Sequence, residues 1–212
     1  MEITIRREEE QDYKVVEHLT REAFWNLYKP GCDEHYLVHI MRSHPDFVSE
    51  LDFVALHENR IVGNIMYTKS HLVSEDNCRM ETLTFGPISV LPEFQGKGIG
   101  SKLISHTKEI ARRDGYSAII ILGDPRNYCK HGFQSSRDYN ISNSEGKYPY
   151  GQLTLELTPE IFKGRNWKFY YSEIFNIKEE DAENFDKLFE PKIRKIQHSQ
   201  VEFSIAFRAY LE

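Results

Sequence analysis

The segment QGKGIG, residues 95–100, places three glycines at alternate positions. Glycine permits a sharp backbone turn and leaves no side chain in the way of an approaching ligand. The residues that follow have helical periodicity, and the first amide groups of a helix have no intrahelical partner. Because a helix N-terminus carries partial positive charge and Lys97 lies beside it, the segment is suited to a phosphate-bearing ligand.

Two common phosphate-binding motifs do not fit these residues. The P-loop pattern G-x-x-x-x-G-K-[ST] occurs nowhere in the chain, and the dinucleotide pattern G-x-G-x-x-G needs its third glycine one residue after Gly100. The pattern that remains is Q-x-x-G-x-G, formed by Gln95, Gly98 and Gly100. A tight strand-to-helix turn without a ligand is the alternative, but such a turn needs one glycine rather than three.

The composition limits the class of protein. A chain of 212 residues with 40% hydrophobic and 13% aromatic residues is typical of one packed domain, with or without a small extension. The net charge is −6 and no long basic run occurs, which argues against nucleic acid as a partner. Three unclustered cysteines indicate neither a disulfide framework nor a zinc site. No apolar signal segment and no apolar stretch of about 20 residues is present, so we expect a cytoplasmic protein without a membrane partner.

Hydrophobic periodicity predicts an α+β class with a mixed sheet. The expected strands are 2–6, 51–56, 61–73, 80–90, 118–122 and 152–157, and the expected helices are 12–25, 34–42 and 99–114. Gly86-Pro87 interrupts the strand at 80–90, and because proline cannot donate to a sheet, we expect a kink, a bulge or lost pairing there. The strand–helix–strand order from residue 85 to 122 predicts a βαβ unit with parallel strands.

Residues 85–133 resemble the acyl-CoA-binding part of the GNAT superfamily of N-acyltransferases, in particular its YhbS-like branch. The matching letters are FGPISVLPEF before the glycine turn, then ILGDP (121–125) and YCKHGF (128–133). The earlier elements follow the family order, so the resemblance covers residues 1–157. It implies the GNAT acyl-CoA N-acyltransferase fold, a mixed central sheet with splayed parallel strands flanked by helices. Residues 158–212 would then be a C-terminal extension that packs on this core.

The resemblance also implies acetyl-CoA as cosubstrate and no metal. It places the pantetheine arm between two parting strands, bonded to backbone groups of Ile88 and Val90, and the pyrophosphate on the amides of residues 95–101. Gln95 stands where many relatives have arginine, so backbone amides and Lys97 would supply more of the positive charge. The coenzyme-binding residues expected on this basis are Ile88, Ser89, Val90, Gln95, Gly96, Lys97, Gly98, Ile99, Gly100, Ser101, Gly123, Asp124 and Tyr128.

Direct acyl transfer needs an acid for the departing sulfur and a base for the attacking amine. Tyr128 matches the family's tyrosine that protonates the sulfur, and an aromatic residue packed on the loop is the alternative. Glu81 precedes the cleft on its strand and is the candidate base, with a solvated surface carboxylate or a water chain as alternatives. Cys129 has no assignable His or acid partner, which favours a packing role over an acyl-enzyme.

The expected acceptor is a small amine or a protein amine, either N-terminal or lysine. Residues 25–47 are rich in aromatic and histidine side chains, which either shape an amine pocket or form the apolar faces of two short helices. His35 and His39 have a spacing that zinc ligands can have, but no third ligand is assignable, which favours a packing pair.

The last third of the chain has weaker patterns. Residues 174–189 look helical and acidic, whereas residues 192–210 are ambiguous because Val201, Phe203, Ile205 and Phe207 alternate as in a strand. The extension would cover the acceptor site, form an interface in a homo-oligomer, or only pack on the sheet. Two rival functions stay open: a non-catalytic acyl-CoA-binding or sensor module, and a nucleotide-binding module that uses the glycine turn for another phosphate.

Overall fold

The computed structural model describes residues 1–212 as a mixed sheet flanked by helices. The helices are α1 (Tyr13–Phe24), α2 (Glu34–Met41), α3 (Ile99–Arg113), α4 (Pro125–Tyr128), α5 (Glu179–Asp186) and α6 (His198–Arg208). The strands are β1 (Thr4–Arg7), β2 (Phe53–His57), β3 (Arg60–Ser74), β4 (Arg79–Val90), β5 (Ala118–Leu122), β6 (Gln134–Ser135), β7 (Ile141–Asn143), β8 (Tyr148–Pro149), β9 (Gln152–Glu156), β10 (Trp167–Tyr170) and β11 (Tyr210–Leu211). No helix combines the length and apolarity that a membrane span requires.

The main sheet has the strand order β1-β2-β3-β4-β5-β9-β6, and β10 pairs with both β3 and β7. Its pairs are antiparallel apart from β4 with β5 and β7 with β10, which are parallel. The predicted mixed sheet and the parallel βαβ unit around α3 are therefore confirmed. Strands β8 and β11 form a separate two-stranded sheet.

The centre of the sheet is buried on both faces. Residues 118–121 of β5 are almost completely buried, as their continuous apolar sequence predicts. Helix α3 covers one face with Leu103, Ile104 and Ala111. On the same stripe the Thr107 hydroxyl lies 2.8 Å from the buried Tyr67 hydroxyl, so this polar pair is satisfied within the core.

Strands β4 and β5 separate toward their carboxyl ends. Their register consists of the single pair Leu83↔Ile119, although β4 continues to Val90. Between β3 and β4 the register shifts at residues 65–67, opposite Gly86-Pro87, so the predicted bulge is confirmed. Just beyond Leu83, a side chain connects β4 to β5: the Thr84 hydroxyl donates to the Ile120 carbonyl at 2.8 Å. A gap thus opens where the two parallel strands end.

The residues after 157 contribute to the sheet and to its edge. In β10, which follows the predicted division between residues 157 and 158, Trp167 and Phe169 are buried and pair along β3 and β7. The strand-like alternation at 201–207 lies in helix α6, where Phe203 and Phe207 are one helical turn apart with ring centroids 5.6 Å apart. The ambiguity of this segment is therefore resolved in favour of a helix.

Candidate active site

A cleft of about 440 Å³ lies where β4 and β5 separate, within the size range of small-molecule sites. It extends from the glycine turn to the loop after α1. The lining residues are Ala23, Phe24, Leu27, Tyr28, Ile88, Val90, Phe94, Gln95, Gly96, Gly98, Ile99, Gly100, Ser101, Ile104, Asn127, Tyr128, Lys130 and His131.

The glycine turn presents free backbone amides to this cleft. Gly96 and Gly98 have φ angles of +73° and +80°, a conformation that L side chains rarely adopt. A Cβ added at either position would have no atom within 4 Å, so the space beside the turn is open. The amides of residues 96–98 donate to no other backbone group, and those of the first turn of α3 are unpaired by the geometry of a helix. The turn can therefore donate several hydrogen bonds to an anion.

The side chains predicted to bind the coenzyme do not all face the cleft. Ile88 and Val90 line it, whereas the buried Ser89 hydroxyl points to α1 and donates to the Thr20 hydroxyl at 3.0 Å. The Gln95 side-chain amide donates to the Val90 carbonyl at 3.0 Å, which braces the turn against the end of β4. Lys97 donates to the Glu93 carbonyl at 2.6 Å and is not a lining residue.

Tyr128 lines the cleft from the end of α4. Its ring packs against Phe85 and Phe133, with centroids 5.7 and 5.9 Å away. Burial is the main cause that raises the pKa of its hydroxyl, with smaller contributions from Tyr28 and Asp124. The hydroxyl therefore stays protonated at neutral pH, the state that a proton donor requires.

Gly123 leaves room for this tyrosine. A Cβ at Gly123 would collide with the Tyr128 ring. Asp124 caps α4 by accepting from the Arg126 amide at 2.9 Å and binds the Arg126 guanidinium, so it positions the short helix that carries Tyr128. Neither Gly123 nor Asp124 lines the cleft itself.

The charge of the lining is positive although the net charge of the chain is negative. No Asp or Glu lines the cleft, whereas Lys130 and His131 do. His131 Nε2 lies 3.2 Å from the Ser101 hydroxyl, which joins the loop after α4 to the first turn of α3. Desolvation lowers the pKa of His131, and the charges of Lys130 and Lys108 lower it further. Lys130 and His131 were not predicted from the sequence as residues of the cleft, although both lie within the YCKHGF motif.

Glu81, the candidate base, and Cys129, for which the sequence favours a packing role, lie outside the lining of the cleft. Glu81 is half exposed, pairs with Lys69 across the strands at 3.5 Å, and precedes Ile88 by seven residues along β4. At about 3.3 Å per residue this separation is roughly 23 Å. The structure does not bring Glu81 to the cleft. Cys129 is exposed and has neither a hydrogen-bond nor an ion-pair partner.

The opposite end of the cleft is built from the loop after α1. Phe24, Leu27 and Tyr28 line it. Desolvation raises the pKa of the Tyr28 hydroxyl to about 12, and the negative charges of Glu34 and Asp124 contribute to the rise. Carboxylates thus lie around this end of the cleft but outside its lining.

His35 and His39 do not share a site. His35 is completely buried, with Nδ1 3.4 Å from the Cys32 sulfur and Nε2 3.2 Å from an oxygen of Asp186. His39 is half exposed and lies 2.9 Å from Glu17. No group of three or more His, Cys, Asp or Glu side chains is arranged to hold a metal ion.

The mixed sheet, the bulged β4, the parting of β4 from β5 and the unpaired amides at the start of α3 together form an open cleft suited to an extended ligand with an anionic end. Residues 50–135 match the family described as Acetyltransferase (GNAT) domain. This match spans 86 of the 212 residues and includes the motifs on which the sequence resemblance rests.

Individual relatives extend this result. The uncharacterized N-acetyltransferase YjhQ of Escherichia coli (strain K12) is 35% identical over 85 residues, which are 40% of this chain and 46% of YjhQ. The uncharacterized N-acetyltransferase YhbS of the same strain is 26% identical over 106 residues, or 50% of this chain and 60% of YhbS. The matched part of the chain thus spans about half the length of these relatives.

Solved structures agree in fold. The crystal structure of the Escherichia coli GNAT family N-acetyltransferase YhbS in complex with CoA has a TM-score of 0.71 at 20% identity, covering 82% of this chain and 92% of that one. A Brucella melitensis GNAT family acetyltransferase in complex with acetyl-CoA has a TM-score of 0.64 at 24% identity, covering 82% and 98%. The GNAT fold predicted from the sequence is confirmed.

Proposed function

We propose that this protein is an N-acetyltransferase that transfers the acetyl group of acetyl-CoA directly to a primary amine. The observation that carries the proposal is the gap between β4 and β5, which leads to a helix N-terminus with unpaired amides. The fold similarity to proteins whose structures contain CoA or acetyl-CoA supports the same assignment.

Acetyl-CoA fits the cleft by shape and by charge. The amides of residues 96–101 would receive the pyrophosphate, and beside them Lys130 would add positive charge and His131 a polar ring. The pantetheine arm would lie against Ile88 and Val90, where β4 has no pairing partner on the β5 side. These positions require a ligand that is anionic at one end and extended at the other.

Tyr128 would act as the general acid. A neutral amine attacks the thioester carbonyl, the carbon–sulfur bond breaks, and the sulfur leaves with the electron pair. The protonated hydroxyl of Tyr128 donates its proton to that sulfur, and the amine proton passes to solvent or to a carboxylate at the acceptor end. The pKa of Tyr128 lies above its ordinary value, so the hydroxyl is protonated across the neutral range.

A panel of amines tests the proposal. Purified protein is incubated with acetyl-CoA and small, peptide N-terminal and lysine amines, and acetylated products are detected by mass spectrometry alongside free CoA. We expect equimolar product and CoA with at least one amine. Binding of acetyl-CoA without transfer to any amine would instead indicate an acyl-CoA sensor. Thermal stabilisation by ATP or NAD, but not by acetyl-CoA, would indicate a nucleotide-binding module.

A further inference from the structure

The segment formed by residues 193–212, here named the C-terminal strap, is fixed at two separate places. At one end it binds the loop after α1: the Ser199 hydroxyl donates to the Leu27 carbonyl and the Gln200 side-chain amide to the Asn26 carbonyl, both at 2.9 Å. The Lys195 amide also donates to the Asn26 side-chain oxygen at 3.0 Å. The loop held in this way is the one that supplies Leu27 and Tyr28 to the cleft.

The other end of the strap binds near the carboxyl end of β5. Strand β11 pairs with β8, and the Tyr150 amide donates to the Ala209 carbonyl at 2.9 Å. Gly151, the next residue, accepts from the Gly123 amide at 2.8 Å, and Gly123 precedes the helix that carries Tyr128. The strap is therefore attached on both sides of the place where β4 and β5 separate.

Helix α6 connects these two attachments. Its 11 residues span about 16 Å. Phe203 packs on the cleft-lining Tyr28 with ring centroids 4.3 Å apart. Helix α6 also passes close to α4. The pKa of Arg126 on α4 is raised mainly by its hydrogen bonds to Asp124, and the charge of Glu202 on α6 raises it further.

We propose that the C-terminal strap closes the acceptor end of the cleft, so that the acceptor is a small free amine with an aromatic or apolar body rather than an amine on a polypeptide. The inference rests on the proposed function, because it specifies the acceptor of that reaction. A polypeptide acceptor needs an open groove through which its chain can leave, and α6 lies beside this end of the cleft, where Phe203 contacts the lining residue Tyr28.

The side chains at this end fit such an acceptor. Phe24 and Tyr28 offer aromatic faces, which bind both apolar bodies and ammonium groups. Glu34 and Asp124 lie close enough for their negative charge to act on the Tyr28 hydroxyl, so an ammonium group at this place meets favourable potential. Ile205 lies on the exposed side of α6. It is 67% exposed and does not line the cleft.

Two probes that share the same amine test the proposal: phenylalaninamide and a ten-residue peptide that begins with phenylalanine. We expect the wild-type protein to acetylate phenylalaninamide at least about a hundredfold more efficiently, by kcat/KM, than the peptide. In Phe203→Ala the KM for phenylalaninamide should rise about tenfold while the Kd for acetyl-CoA is unchanged. Ile205→Ala, on the same helix, should leave both constants unchanged.

The outcomes separate this inference from the function on which it rests. Equal use of the two probes, or preference for the peptide, would overturn the strap as a barrier while leaving acetyl transfer intact. A Phe203→Ala protein with native thermal stability and wild-type KM would also overturn it. Acetyl-CoA binding without acetylation of any amine would overturn the proposed function, and with it the assignment of an acceptor.

Discussion

The two ends of the cleft are built in different ways. The coenzyme end consists of backbone: a six-residue turn, the first turn of α3 and the unpaired edge of β4. The acceptor end consists of the side chains of Phe24, Leu27 and Tyr28, on a loop that is held by contacts from far along the chain, such as the hydrogen bond from the Gln200 side-chain amide to the Asn26 carbonyl. Backbone groups bind any ligand with the same phosphates, whereas side chains define one acceptor. Under the proposed function, the turn would bind the coenzyme, and the side chains held by the long-range contacts would determine the acceptor.

The largest expected effect concerns Tyr128, which lies between the two ends. Tyr128→Phe removes the proton donor and keeps the ring that packs on Phe85 and Phe133. We expect kcat to fall by about 10²–10⁴-fold, the usual contribution of a general acid, with little change in the KM for acetyl-CoA. Steady-state kinetics measure both constants. Tyr139→Phe, outside the cleft lining, is the control and should retain wild-type kcat; unchanged turnover in Tyr128→Phe would remove the acid role.

The acceptor end depends on a buried ion pair that attaches the C-terminal region to α1. Arg21 is 1% exposed, lies 2.7 Å from Asp186 and packs on Trp25 and Phe189. Asp186→Ala leaves this guanidinium without its carboxylate, so the free energy of unfolding should fall by about 3 kcal/mol. Urea denaturation measures the loss.

Glu183 lies on α5, as Asp186 does, and provides a control for the stability loss expected in Asp186→Ala. Glu183 pairs with Arg194 at 2.8 Å, but both side chains are nearly half exposed. Glu183→Ala should change the free energy of unfolding far less than Asp186→Ala does, as for other surface ion pairs. Equal losses in Asp186→Ala and Glu183→Ala would contradict the buried attachment.

The coenzyme end can be perturbed through one glycine. In Gly98→Ala the positive φ of +80° becomes strained by about 1–2 kcal/mol, and the amides around it must shift. We expect the Kd for CoA to rise about tenfold, measured by calorimetry. Gly115→Ala is the control, because Gly115 has φ +85° and an equally open Cβ position at the far end of α3. It should lose similar stability without losing affinity for CoA; equal affinity losses would contradict the account.

A pH dependence of stability is expected at the acceptor end. Burial raises the pKa of Glu34 to about 7. Hydrogen bonds from the backbone amides of residues 33–34 and the charge of Lys29 oppose this rise, and the charge of Asp33 adds to it. Because the folded state holds this proton more tightly than the unfolded state, stability should decrease as pH rises from about 4.5 to 7. Glu34→Gln removes this part of the slope, at most about 3 kcal/mol over that range. Urea denaturation at pH 5 and pH 7 measures it; an identical slope in both proteins would contradict the shift.

The sequence predicts the coenzyme end better than the acceptor end, and the reason is physical. The glycine spacing at 96–100, the bulge at Gly86-Pro87 and the continuous apolar run of β5 are local signals, and each is confirmed by the structure. The contacts of the C-terminal strap with the loop after α1 join residues more than 160 positions apart, so no local pattern reports them. The alternation at 201–207 even favours a strand, because packing on Tyr28 and the bonds to Asn26 decide the conformation.

Glu81 illustrates the same limit. Its position on β4 follows from the sequence, but its distance from the cleft depends on where β4 and β5 stop pairing, at Leu83. Conversely, Lys130 and His131 come to the cleft because α4 turns back on the first turn of α3, a contact made through Ser101. The YCKHGF motif alone does not indicate this contact between His131 and the first turn of α3.

The central claim is that main-chain amides of residues 96–101 bind the diphosphate of CoA. Titration of ¹⁵N-labelled protein followed by NMR tests it directly, with CoA and with pantetheine, which lacks the diphosphate. The account predicts that the amide protons of residues 96–101 shift downfield with CoA and stay nearly unchanged with pantetheine. CoA binding that leaves these amides unmoved, or identical shifts with both compounds, would contradict it.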